Sequence, residues 1–197
     1  MNLLDIIKAH VGEENVNQLS SNLGEDKGNT LDAISKAVPV LVSAMARNTR
    51  SEEGANSLAG ALDRDHDGSI LDNIGSLISN PEASEGQGIL KHVLGGKQNN
   101  AEKAVSEKSG ISLDSAIKIF QVAAPILMGM LGKKKREENL DGGGLAGMLG
   151  SLASSQEKDD EGGSGIGSMI TGLLDRDGDG NVMDDIGGMI GGFLGNR

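Results

Sequence analysis

Apolar residues recur along this chain at helical spacing almost from the first residue. Leu3, Leu4, Ile6, Ile7 and Val11 predict a helix ended by Gly12, and Val16, Leu19 and Leu23 predict a short second helix capped by Gly24. The strongest stripe, Leu31, Ile34, Val38, Leu41 and Met45, predicts a third helix starting at Asn29 or Thr30. Pro39 lies inside it and predicts a kink between Ser35 and Pro39, because the ring removes one backbone bond and crowds the preceding turn. Adding 86 to the stripe gives Ile117, Phe120, Ala124, Leu127 and Leu131, with Pro125 in the place of Pro39. Leu19, Ser20 and Gly24 map in the same way onto Val105, Ser106 and Gly110, and SLAGAL at 57–62 maps onto GLAGML at 144–149 with one residue of slippage. The pattern predicts an all-α fold with no significant β-sheet, built from a duplicated helical module.

The units fall at 1–80 and from 86 onward. In the first, Leu58, Ala59 and Leu62 run straight into Asp63. In the second, 86–152 is followed by ASSQEKDDEGGSG at 153–165, whose polar, glycine-rich composition predicts a flexible linker. Ile166, Met169, Ile170, Leu173 and Leu174 then begin a hairpin at 166–197.

A second repeat overlies the first. Residues 62–78, LDRDHDGSILDNIGSLI, match 174–190, LDRDGDGNVMDDIGGMI, so that acidic, glycine and apolar positions coincide at an offset of 112. Alternating carboxylates followed by a glycine suit an oxygen-ligand cation loop, in which odd positions turn inward and the glycine takes a left-handed turn. The expected ligands are Asp63, Asp65, Asp67, Ser69 and Asp72 in the first copy, and Asp175, Asp177, Asp179, Asn181 and Asp184 in the second. Two EF-hand-like or dockerin-like helix-loop-helix hairpins are thus expected, with an apolar Ile70 or Val182 at loop position 8. The twelfth position, which carries a bidentate Glu in an EF-hand, is Ile74 or Ile186, so Asp72 and Asp184 would have to close the shell. Four carboxylates with a backbone carbonyl favour the larger, flexible shell of calcium over magnesium, and the shortened loops set an expected affinity on the order of micromolar to millimolar. Binding would relieve the repulsion among the aspartates and so be coupled to folding.

Composition narrows the rest. With 29 acidic against 18 basic residues the net charge is −11, which argues against nucleic-acid binding and suits attraction of divalent cations. Cysteine, tyrosine and tryptophan are absent. That excludes disulfides and thiolate chemistry, nearly excludes stacking platforms, and leaves the core to aliphatic side chains. The amino terminus lacks the basic and uninterrupted apolar regions of a secretory signal, and no transmembrane segment is expected. The expected location is the cytoplasm if the source is bacterial, with unconventional export open. Lys133–Arg136 reads as a solvated helix cap, since cations suit a helix C-terminus. His10, His66 and His92 read as ordinary helix or surface residues. No nucleophile elbow, phosphate loop or dinucleotide fingerprint emerges, so an enzyme is not expected.

The duplicated part resembles the YidB-like family of bacterial proteins of unknown function. The residues that carry the resemblance are GEENVNQLSSNLG at 12–24 and TLDAISKAVPVLVSAMA at 30–46, with AEKAVSEKSG at 101–110 and SLDSAIKIFQVAAPILMGML at 112–131. The resemblance implies short, partly homeodomain-like helices and brings no established activity. The expected function is a non-enzymatic calcium-binding protein whose ion stabilises or switches an interaction module. The alternative is a self-associating scaffold in which the acidic loops only cap helices. In either case an unknown protein partner, or a second copy met through the carboxy-terminal hairpin, completes the picture.

Overall fold

The computed structural model describes residues 3–83 and 85–159, and the side chains of 12–82 and 85–155. Eight α-helices make up this part: α1 (Leu3–Leu23), α2 (Lys27–Asn48), α3 (Glu52–Asp65), α4 (Ile74–Ser79), α5 (Gly86–Val93), α6 (Gln98–Ser109), α7 (Leu113–Glu137) and α8 (Gly142–Asp159). The all-α class is as the periodicity predicts, and no strand occurs among the described residues.

Local chemistry sets the boundaries. α1 joins the two helices expected at its ends, broken at Gly12, whose φ of 72° and ψ of 156° lie outside helical space. α2 begins a turn earlier than Asn29 or Thr30, because Asp26 Oδ1 accepts hydrogen bonds from the backbone N–H groups of Gly28 (2.7 Å) and Asn29 (3.3 Å). Ser112 caps α7 in the corresponding place, accepting from Ser115 N at 3.1 Å. Both helices continue unbroken through their buried prolines, Pro39 and Pro125. α8 runs on through 153–159, where composition predicts a linker; Ser154 and Ser155 hydroxyls donate back to the carbonyls of Gly150 and Leu152.

The two repeats share one core. α2 and α7 pack together at its centre, α6 lies against both, and α1 packs on α2. α3 and its repeat counterpart α8 each go to the other unit. α3 packs on α7 and α8, while α8 packs on α2 and α3, with Gly142 at the start of α8 set against Ala55 and Asn56 near the start of α3. Leu41, Met45, Leu62, Phe120, Leu145 and Leu149 are almost fully buried, so residues from both units fill the same interior. α7 is long and apolar enough to cross a bilayer, but 78% of its apolar window is buried inside the protein, which makes it the core helix of this bundle.

Candidate functional site

The first acidic turn begins inside α3. That helix continues through Asp65, so Asp63 and Asp65 stand about 200° apart around its axis instead of turning inward together. His66 leaves helical space, Gly68 takes the left-handed conformation (φ 91°), and a 3₁₀ turn at Ser69–Asn73 leads into α4. Asp67 Oδ1 accepts a hydrogen bond from Ser69 N at 2.9 Å, and Leu71 N donates to Gly68 O at 3.0 Å. Hydrogen bonding from the Ser69 side chain, then from its backbone N–H, holds the Asp67 carboxyl below the ordinary aspartate range, with a smaller contribution from the Arg136 charge.

The cation cage expected of Asp63, Asp65, Asp67, Ser69 and Asp72 is not assembled. All five are exposed, and no three Asp, Glu or His side chains gather among the described residues in a way that could hold an ion. Ile74, in the twelfth position, is buried as the first residue of α4, where a glutamate would lose its water without gaining an ion. The second set, Asp175, Asp177, Asp179, Asn181 and Asp184, lies outside the described residues, as does the hairpin at 166–197.

What answers the turn's charge is the C-terminal end of α7. Lys135 Nζ lies 2.7 Å from Asp63 Oδ1, and the Lys135 side chain is only 12% exposed. Arg136 Nη2 donates to the His66 carbonyl at 3.2 Å. The cationic run is therefore more than a solvated cap: Lys135 and Arg136 engage the turn, while the exposed Lys133 and Lys134, the latter paired with Glu138 at 2.7 Å, behave as that reading expects. The approach is close because α7 has glycines beneath the turn. A Cβ on Gly132 would collide with His66 O, and one on Gly129 with Ile70 Cγ2. Ile70 thus plugs onto the core through a gap that any side chain at position 129 would close.

α1 holds the turn's other side. Gln18 Nε2 donates to Ser79 Oγ (3.0 Å) and Gly75 O (3.4 Å), and Asn22 Nδ2 donates to Ile78 O (3.2 Å). Leu77 and Ile78 complete the seat from below as buried residues. The signal in the sequence was the string GMLGKKKR at 129–136, two small residues three apart and then cations, which reads as a close contact for an anionic turn only once a turn is placed there.

Beside the turn lies a groove of about 770 Å³ between α3 and α5. Met45, Leu58, Ala61, Ile89, Val93 and Met128 line it together with Arg64, Asp65, His66, Glu85 and His92. Asn48 Nδ2 closes one end by donating to Val93 O at 3.0 Å. On α6, the buried Glu102 accepts from Gln98 Nε2 at 2.7 Å, and burial pushes its carboxyl above the ordinary range.

These features define an all-α, internally duplicated protein with an acidic turn clasped between its halves. The chain belongs to a bacterial family of unknown function, DUF937, whose model matches residues 5–134. The first acidic repeat lies within that span and the second beyond it. No curated protein and no solved structure matches the chain.

Proposed function

We propose that this protein is a non-enzymatic helical interaction module in which the acidic turn at 63–72 is a charge-controlled clasp joining the two halves. The observation that carries the reading is the pairing of Asp63 with Lys135, with the His66 carbonyl held by Arg136 over Gly132. The turn's charge and backbone are answered from within the protein, across 72 residues of sequence. The YidB-like pattern of 12–46 and 101–131 supports the same reading, since that resemblance brings no catalytic residues.

A second reading, calcium binding, is favoured by the left-handed Gly68, the Asp67–Ser69 turn and five exposed oxygen-bearing side chains within ten residues. As the turn is held, these residues do not fit an ion: the last turn of α3 would have to open, and Asp63 would have to leave Lys135.

Calorimetry with calcium and with a chelator separates the two, using the natural chain, Lys135→Met, and the double variant Asp177→Asn/Asp179→Asn, which silences the second acidic repeat. The clasp reading expects Lys135→Met to melt lower and calcium to leave the double variant unchanged. A heat of calcium binding in the double variant, strengthened by adding Lys135→Met because Asp63 is then free, would establish the calcium reading in its place.

A further inference from the structure

The groove between α3 and α5 has a floor of Met45, Leu58, Ala61, Ile89, Val93 and Met128, and its volume is in the range that takes a helical turn or two of apolar side chains. We infer that its occupant is the chain's own carboxy-terminal segment, 166–197. The first copy of the acidic repeat indicates what that segment needs. Ile74, Leu77 and Ile78 are 4%, 7% and 1% exposed, buried by α1 and α7. Their counterparts at the offset of 112 are Ile186, Met189 and Ile190, which keep the same apolar spacing and are followed by Phe193 and Leu194. A face of this composition gains on the order of 1.5–3 kcal/mol for each large side chain it buries, so it drives docking wherever a matching surface is in reach.

The seat used by the first copy is taken, and its equivalent in the other half is poorly suited. Subtracting 86 from Gly129 and Gly132 leads to Ser43 and Ala46 on α2, and Gln18 and Asn22 become Ala104 and Lys108 on α6. The close approach and the two side-chain donors are both lost there. The α3–α5 groove offers an apolar lining instead, and the charged residues beside it, Arg64, Asp65 and Glu85, are of both signs, so the apolar face is what fits it to this segment.

Reach permits it. α8 starts against Asn56, which stands beside the groove-lining Ser57 on α3, and its 18 residues carry the chain at most about 27 Å away. Residues 160–173 can span up to about 46 Å. A tether this short also gives the segment an effective concentration on the order of millimolar, which favours it over a second copy in dilute solution.

The absence of cysteine makes the test clean. Ser57→Cys in the full chain, labelled with a benzophenone and irradiated, should give a monomer-sized product whose crosslinked peptides come from 166–197. Adding Ala61→Arg, which fills the groove with a charge, should lower that yield at least fivefold without changing the far-ultraviolet circular dichroism. The result should be the same with calcium and with chelator, since this docking does not depend on either reading of the acidic turn. Crosslinks between chains would assign the groove to a second copy and overturn the inference, and so would crosslinks confined to neighbouring residues of α3 and α5.

Discussion

The C-terminal ends of α2 and α7 are counterparts in the duplication, yet they have opposite surroundings. Where α7 has Gly129, Gly132, Lys135 and Arg136, α2 has Ser43, Ala46, Thr49 and Arg50. The α7 end receives the acidic turn on its glycines and answers it with cations. Among the described residues no such turn lies on the α2 end. Arg47 is half-buried there, and desolvation, then the neighbouring charge of Arg50, lowers its basicity; among the described residues neither arginine makes an ion pair. The same helix and the same proline thus served two ends that diverged. The difference shows that the seat is made by a few small and charged residues placed on the scaffold, and not by the scaffold itself.

Substitutions can break that contrast. The largest effect is expected from Gly132→Val, which drives a branched side chain into the His66 carbonyl and should cost about 3 kcal/mol in thermal or urea unfolding. At the counterpart, Ala46→Gly should cost only about 1 kcal/mol, the ordinary price of glycine in a helix. Equal losses at the two positions would remove the distinction. Lys135→Met should cost about 0.5–1 kcal/mol, because Asp63 is half exposed and the pair is screened, and the loss should shrink in high salt. Arg50→Met, at the α2 end, should change little.

The smallest effects are those of pH. Glu102 has a raised folded-state pKa through burial, so the stability it contributes is present at low pH and is lost as pH rises through that value. Glu102→Gln should therefore raise the melting temperature at neutral pH and leave it unchanged below the ordinary carboxylate range. Asp67 is displaced the other way. Its stabilisation is present above the unfolded pKa and fades as pH falls through the lowered one, so Asp67→Asn should melt lower at neutral pH and match the natural chain in strong acid.

Much of the bundle could be read from the chain, because period 3.6 and the 86-residue offset are properties of the sequence itself. The helices carrying Leu31–Met45 and Ile117–Leu131, the left-handed Gly24 and Gly110, and the all-α class came from those alone. The crossing of α3 and α8 onto each other's units did not, since an apolar face records that it will be buried and not by which partner. The acidic turn was legible as a turn at Gly68 and as an apolar plug at Ile70. Its cage was not: reading alternating aspartates as ligands assumes that the helix has ended before the first of them, whereas α3 runs on through Asp65. The partners of Asp63 and His66 lie 72 and 70 residues away, beyond any local pattern.

The reciprocal placement of α3 and α8 also sets the order in which the chain can finish itself during synthesis. When α3 leaves the ribosome, its two principal partners, α7 and α8, do not yet exist. Translation at about 5–20 residues per second leaves the apolar face of α3 without α8 for about 5–19 s, until α8 is complete. Through that interval the nascent first half carries an open surface that a second nascent chain could fill in place of its own α8, so crowding on a polysome would turn an intramolecular exchange of helices into an intermolecular one.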